Sequence, residues 1–255
     1  MRALDLRPAP GAAPLIRQVL AQASMETRLL LRNGEQLVLA LVIPVLALVG
    51  GVAAADRIGL DVDRPVVDVL TPGVLALAVM STAFASLAIA TGFERRYGVL
   101  KRLGSSPLPR HGLLLGKVGA LIAVEVLQVV VISAVAAGLG WDPAAGLLPA
   151  VLAGVAGTAA FASLGLLMAG VLRAEATLAA ANLVYLLLLA GGGVVLPAAS
   201  YGSLEPVLGW LPSGALGEAM RAALLDGRTD LAGLAVLVGW TVLGAALTAR
   251  TFRWE

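Results

Sequence analysis

Residues 112–139 read GLLLGKVGALIAVEVLQVVVISAVAAGL, a run that contains only two charged side chains, Lys117 and Glu125. About 20 apolar residues are enough for a helix to cross a membrane, so this run predicts a transmembrane helix with length to spare for tilting. The whole 255-residue chain has the same character, with 59% hydrophobic and 13% charged residues, whereas soluble domains carry about 25% charge. We therefore expect an all-α polytopic membrane protein. The composition excludes a soluble globule, a disordered chain and a nucleic-acid-binding protein.

Five further stretches are apolar over the roughly 17 residues that a membrane span requires. Together with the first run they predict six transmembrane helices, at 36–55, 72–93, 112–139, 146–172, 177–197 and 231–249. Pro44 removes one backbone hydrogen bond within the first of these and predicts a kink there. The transmembrane domain is therefore expected to occupy residues 36–255.

The amino-terminal region divides into two parts. Residues 1–13 lack the apolar core of a secretory signal, so we predict a flexible cytoplasmic tail. Residues 14–35 predict an amphipathic helix that lies flat in the membrane interface, with its arginines toward the headgroups. A helix docked on protein is the alternative. The apolar side of this helix comprises Leu15, Ile16, Val19, Leu20, Ala23, Leu30 and Leu31.

The basic residues are distributed very unevenly. With six spans, 14 of the 18 lysines and arginines lie on the side of the membrane that carries both termini. Cytoplasmic loops carry the excess of positive charge, so both termini are expected in the cytoplasm. The chain has no cysteine and its one histidine is His111, so nothing in the sequence predicts a disulfide or a metal site.

The segment between the fifth and sixth spans, residues 198–230, is too apolar for an ordinary loop and too broken by prolines for a span. Its stretch SGALGEAMRAALL has a helical pattern. We predict one or two short re-entrant helices that dip into the outer leaflet and pack on protein. A folded external loop is the alternative. The glycine run 191–193 before this segment fits either a flexible break or close helix packing.

The loop after the second span, residues 93–110, reads FERRYGVLKRLGSSPLPR. Its charged and apolar residues alternate at helical spacing, which predicts a short amphipathic helix at about 93–104 that Gly104 and Pro107 terminate. Basic clusters next to a span also serve simply to anchor its orientation, and that alternative stays open at this point.

The order of these motifs resembles the ABC-2 type permeases, which are the membrane subunits of bacterial ABC exporters, including those of the daunorubicin-resistance type. The resemblance covers nearly the whole chain, and the run 104–106 departs from it by being less apolar than expected. The residues that carry it are Glu94-Arg95, Gly98-Val99-Leu100-Lys101-Arg102-Leu103, Pro107-Leu108-Pro109-Arg110, Leu115-Gly116-Lys117, Leu211-Pro212-Ser213 and Glu218-Ala219-Met220-Arg221-Ala222-Ala223-Leu224.

The resemblance implies a function and a set of partners. It implies a permease that exports an amphipathic drug, lipid or glycan-type substrate across a bacterial cytoplasmic (inner) membrane. Two ATPase subunits would bind ATP and Mg²⁺, and a second copy of this chain or a close paralogue would complete the complex. The chain itself would bind membrane lipid and no cofactor, and it contains no G-x-x-x-x-G-K-[ST] phosphate-binding loop. The residues expected to contact the ATPase, through a coupling helix, are Glu94, Arg95, Arg96, Tyr97, Leu100, Lys101, Arg102 and Leu103.

Four polar residues lie within the predicted spans: Glu125 and Gln128 in the third, and Asn182 and Tyr185 in the fifth. Polar groups in lipid are costly and therefore face protein or water. These residues predict either a polar patch on a substrate pathway or hydrogen bonds between helices.

Two other classes of membrane protein are the competing hypotheses. A membrane-embedded transferase needs clustered acid, histidine or serine side chains, and an ion-coupled secondary transporter favours several intramembrane acids and repeated halves. The sequence shows neither pattern, so we do not expect the chain to be an enzyme.

Overall fold

The computed structural model describes residues 13–32, 34–58, 64–103, 108–144 and 146–251. Most of the predicted tail, and the residues 104–107 that were expected to end the loop helix, lie outside these ranges. Within them the chain forms helices and turns and no strand. The helices are α1 (Leu15–Arg32), α2 (Gly34–Ile58), α3 (Val66–Met80), α4 (Leu87–Arg96), α5 (Val99–Leu103), α6 (Arg110–Gly138), α7 (Leu147–Val171), α8 (Ala174–Gly191), α9 (Glu205–Leu208), α10 (Pro212–Asp226) and α11 (Leu231–Thr251).

The lengths of the helices confirm an all-α polytopic membrane protein. Five apolar stretches in the described residues are long enough to cross a membrane, and Ala40–Ala55 in α2 forms a shorter sixth. The second span is longer than predicted, because a π-helical turn at Ser81–Ser86 joins α3 and α4 into one helix over Val66–Arg96. Pro44 lies within α2.

The fifth span ends earlier than predicted. We expected it to reach residue 197, but α8 ends at Gly191. Gly193 has a φ of 68°, a left-handed conformation that glycine adopts without strain. The chain then runs irregularly to a short 3₁₀ helix, Ala198–Leu204. The glycine run is therefore a break in the helix.

Helix α10 is buried along nearly its whole length, from Pro212 to Leu224. It packs between α3, α7 and α11. Its Ala223 lies against Gly146, just before α7 begins, whereas its Leu216 lies against Gly157. Ten helical residues separate Gly157 from the first residue of α7, a depth of about 15 Å. This placement agrees with a re-entrant helix that packs on protein.

The irregular chain after α8 is also deep in the bundle. A Cβ atom on Gly73 of α3 would lie 2.8 Å from the carbonyl oxygen of Val194 and still closer to that of Val195. A side chain at residue 73 would therefore push the broken segment away from α3. The close approach exists because glycine presents no side chain there.

We expect Gly73→Ala to destabilise the protein by about 1–3 kcal/mol, since the added methyl group overpacks against backbone. Thermal unfolding in detergent measures the change. Gly50→Ala is the matched control, because a Cβ at residue 50 of α2 meets nothing within 4 Å. Alanine favours helix over glycine, so the control variant should be unchanged or slightly more stable. Equal melting temperatures for the two variants would contradict the close contact.

Candidate functional site

The predicted loop helix consists of two helices separated by a turn. Helix α4 ends at Arg96, and α5 begins at Val99. Gly98 between them has a φ of 68°, so the chain changes direction where the sequence predicted one continuous helix over 93–104. We refer to the end of the bundle that carries this turn as the α5 end.

The two arginines at the end of α4 form their contacts with other helices of the same chain. The Arg95 guanidinium donates hydrogen bonds to the carbonyl oxygens of Gly170, at 2.6 Å, and of Leu172. These carbonyls belong to the carboxyl end of α7, where a helix leaves acceptors unpaired and favours a positive charge. Arg96 forms an ion pair with Glu175 in the first turn of α8. The end of α4 is therefore joined to both α7 and α8.

The side chains of α5, and that of Tyr97 in the turn before it, differ strongly in exposure. Leu100 is 2% exposed, so it packs inside this chain and is not presented to a partner. Tyr97 is 63% exposed, Lys101 and Arg102 are exposed, and Leu103 is half-buried. The Tyr97 ring stacks on Phe93 with 6.1 Å between centroids, and the Arg96 guanidinium lies 5.8 Å from its centre. The exposed Tyr97, Lys101 and Arg102, together with the half-buried Leu103, are called the α5 surface below.

A buried ionic cluster includes Glu94, which lies on α4 three residues before Tyr97 of the α5 surface. Lys117 of α6 is 4% exposed, and its ammonium group lies 2.7 Å from a carboxylate oxygen of Glu94 and 3.1 Å from one of Glu26. Gln22 donates a further hydrogen bond of 2.8 Å to Glu26. The cluster joins three helices, since Glu26 is on α1 and Glu94 on α4. In the sequence Lys117 stood out as a charged residue of the apolar run and as part of the motif Leu115-Gly116-Lys117, and no partner within the chain was predicted for it. A lone lysine in an apolar run is nevertheless a signal for a buried partner.

Helix α1 lies along α6 and also exposes apolar side chains. Gln22 and Ala23 approach Gly116 and Gly119 so closely that a Cβ at either glycine would contact them. On other parts of its surface Ile16 is 63% and Leu20 61% exposed. The helix thus docks on protein along one side and leaves apolar side chains exposed elsewhere. That those side chains meet the membrane interface stays a prediction.

The intramembrane residues Glu125 and Gln128 bind different helices. Gln128 is fully buried, accepts a hydrogen bond of 2.9 Å from Thr82 and donates one of 3.0 Å to the carbonyl of Ala40. Glu125 is 8% exposed and accepts a hydrogen bond of 2.7 Å from Thr158 of α7. Its second carboxylate oxygen is buried and has no partner among the described residues.

The other predicted pair, Asn182 and Tyr185, is not brought together. Tyr185 is 8% exposed and belongs to the main apolar core, whereas Asn182 is exposed on α8. Most of α8 is exposed in the same way, including Leu183, Leu186 and Leu187. Asn182 therefore faces what surrounds this chain, which is lipid or another protein.

Arg221 stabilises the broken segment after α8. It is 4% exposed, and its guanidinium donates hydrogen bonds to four successive carbonyls, those of residues 193–196, at 2.8 to 3.3 Å. It also pairs with Glu218 at 3.1 Å, and Glu218 accepts a hydrogen bond from the Ala198 amide. Non-helical backbone within a membrane is tolerated where protein satisfies its polar groups. From the sequence, Arg221 was expected on the outer side and no role was predicted for it.

Comparison with protein families matches residues 15–225 to the ABC-2 type transporter family. The chain belongs to this family. The match runs from the start of α1 to the end of α10, so it includes the α5 surface, the ionic cluster and the re-entrant helix. Comparison with curated proteins gives no match.

Membership makes this chain the permease component of an ABC transporter, a multi-pass membrane protein that implies an ATPase partner. The permease contains no ATPase motif. Among the described residues no group of three or more histidine or acidic side chains is arranged to hold a metal ion.

Proposed function

We propose that this permease is the membrane subunit of an ABC exporter that moves an amphipathic substrate outward across a bacterial cytoplasmic membrane. Two ATPase subunits, which bind ATP and Mg²⁺, would dock on the α5 surface of two permease copies. The observation that carries the proposal is the arrangement at the α5 end. There the exposed basic and aromatic side chains of the α5 surface adjoin the end of α4, which ion pairs and hydrogen bonds join to α1, α6, α7 and α8. The family match favours this function over an ion-coupled transporter or a membrane-embedded transferase.

The contacts of α4 explain how movement at α5 would reach the membrane. Arg95 joins the end of α4 to the carboxyl end of α7, and Arg96 joins it to α8. Glu94 joins it through Lys117 to α6 and α1. A push on α5 by closing ATPases would therefore act on α1, α6, α7 and α8 together. Residues Glu94, Arg95, Arg96 and Leu100 transmit force within the chain, and the α5 surface contacts the ATPase.

The exposed face of α8 is where a second copy of the permease could pack. Only 22% of Ala174–Gly191 is buried within one chain, compared with 78% of an apolar 18-residue stretch of Val66–Arg96. The span Leu231–Thr251 is also largely exposed, at 17% buried, but α8 is the one that exposes Asn182. Asn182 on this face would find a hydrogen-bond partner on another protein more readily than in lipid. We propose that the two copies of the permease meet along α8.

The proposal predicts that Lys101→Glu combined with Tyr97→Ala weakens ATPase binding about tenfold, because a reversed charge at an interface repels what the original charge attracted. Co-purification with the ATPase and substrate-stimulated ATP hydrolysis in proteoliposomes measure the change. Arg228→Glu is the control, since Arg228 is exposed at the other end of the bundle. Full assembly and full stimulation in the double variant would overturn the assignment of the α5 surface.

A further inference from the structure

A large apolar groove opens between α6, α7 and α11. Its volume is about 560 Å³, within the range of pockets that bind drug-sized molecules. Leu114, Val118 and Ile122 of α6 form one wall, α7 forms the floor, and residues 241–249 of α11 form the other wall. Since α6 begins next to the α5 loop and α11 ends at Thr251, the groove lies in the half of the bundle nearest the α5 end.

The groove has four hydroxyl groups on its walls, and their hydrogens are all used within the protein. Ser163, Thr241 and Thr248 donate to backbone carbonyls at 2.8, 2.8 and 3.2 Å. Thr158 lies 2.7 Å from Glu125 and 2.9 Å from the carbonyl of Gly154. A hydroxyl that has donated its hydrogen still has lone pairs to offer. The polar atoms of the groove are therefore acceptors.

Glu125 adjoins the α6 wall of the groove and is not itself one of the lining residues. It follows Ile122 by three residues, so it continues the helical stripe formed by Leu114, Val118 and Ile122. Its carboxylate is one hydrogen bond from Thr158, which lines the groove, and its second oxygen is buried without a partner among the described residues. A buried carboxylate oxygen without a donor calls for a ligand or a water.

No positively charged side chain of the described residues lines the groove, so none would repel a bound cation. None of its lining residues, all within the described part of the chain, is basic, and Lys117 on the same helix is committed to Glu26 and Glu94. Apolar walls, acceptor-only hydroxyls and a carboxylate hydrogen-bonded to the lining residue Thr158 suit a molecule with an apolar body and a hydrogen-bond-donating cation. A protonated amine meets both requirements, and an acyl chain meets only the first.

We propose that this groove binds amphipathic amines, with the apolar body between α6, α7 and α11 and the ammonium group at Glu125. The inference rests on the proposed permease function, because it names a class of cargo. The groove lies in one permease chain, so binding can be measured without the ATPase.

The test uses the full-length permease in lipid nanodiscs and two fluorescent probes. Monodansylcadaverine carries a primary amine, and its N-acetyl derivative has the same apolar group without the charge. We expect saturable binding of the amine, seen as enhanced dansyl fluorescence above that of empty nanodiscs, and at least about tenfold weaker binding of the acetylated probe.

Two variants test separately the carboxylate of Glu125 and the apolar groove. Glu125→Gln keeps the shape and an acceptor for Thr158, and it should weaken amine binding about tenfold and remove the difference between the probes. Ala245→Trp should fill the groove and block both probes. The matched controls are Glu205→Gln, an exposed acid on α9, and Ala246→Trp, the exposed neighbour of Ala245 that does not line the groove.

Three results would overturn the proposal. Equal binding of both probes would mean that the groove accepts any apolar molecule, such as a lipid chain. No effect of Ala245→Trp would place the amine elsewhere, and a changed oligomeric state in that variant would show that a second copy covers the groove. Failure of the proposed function is distinct, since it would appear as normal amine binding in a permease that neither binds an ATPase nor stimulates its hydrolysis.

Discussion

Replacing Arg221 by methionine is expected to lower the free energy of unfolding by about 3–5 kcal/mol, because several backbone carbonyls lose their donor and each unsatisfied buried group costs about 1–3 kcal/mol. The loss has two sources. The carbonyls of residues 193–196 lose a shared donor, and the Glu218 carboxylate loses its cation. Unfolding of the purified permease by titration with sodium dodecyl sulfate in mixed micelles measures the effect.

The matched control for this prediction is Arg228→Met. Arg228 lies two residues beyond the end of α10, and its side chain is 64% exposed where it pairs with Asp226. Exposed ion pairs contribute about 0–1 kcal/mol, so this variant should stay close to wild type. Arg221→Lys should recover only part of the loss, because an ammonium group has three donors and a guanidinium has five. Wild-type stability in Arg221→Met would contradict the role assigned to the guanidinium.

Replacing Lys117 by methionine is expected to cost about 3 kcal/mol of stability, since the carboxylates of Glu26 and Glu94 are left close together without their cation. The same variant should reduce substrate-stimulated ATP hydrolysis in the assembled transporter, because α1 is no longer tied to α4 through α6. Unfolding titration and hydrolysis in proteoliposomes provide the two measurements.

A compensating variant separates charge from packing at this cluster. Glu26→Gln, Glu94→Gln and Lys117→Met together leave no buried charge, and buried ion clusters replaced as a whole cost little stability. We expect the triple variant to be within about 1 kcal/mol of wild type, while its stimulated hydrolysis stays low. Lys101→Met, at an exposed lysine of α5, should not change stability. If Lys117→Met were as stable as the triple variant, the unpaired carboxylates would not be the cause.

The spans were predictable because membrane insertion depends on local composition. A helix in lipid satisfies its own backbone hydrogen bonds, so the length of an apolar run is nearly enough to define it. The run 112–139 and the helix Arg110–Gly138 agree within two residues at each end. The end of α8 was placed too late, at residue 197, because residues 194–197 are as apolar as the helix before them, although a break at the glycine run was one of two alternatives. In the structure the positive φ of Gly193 marks the break, and the packing against Gly73 and the hydrogen bonds of Arg221 stabilise the chain beyond it.

The roles of the charged loop residues were not predictable in the same way. Residues 94–96 carry one acid and two arginines that look alike in the sequence as candidates for an external partner. In the structure they pair with Lys117, with the end of α7 and with Glu175, which are 23 to 79 residues away along the chain. Leu100 was expected to fill a groove on a partner and is instead buried within the chain.

The sequence by itself determined the environment and the number of spans, because these follow from apolar length and scarce charge, which are local properties. It also led to the prediction that the loop 93–110 meets an ATPase. The tertiary structure decided which polar groups form contacts within the chain and which are exposed on its surface. That division depends on contacts between distant helices, such as Lys117 with Glu26 and Arg221 with residues 193–196. A buried charge requires a partner in space, and its position along the chain does not reveal which one.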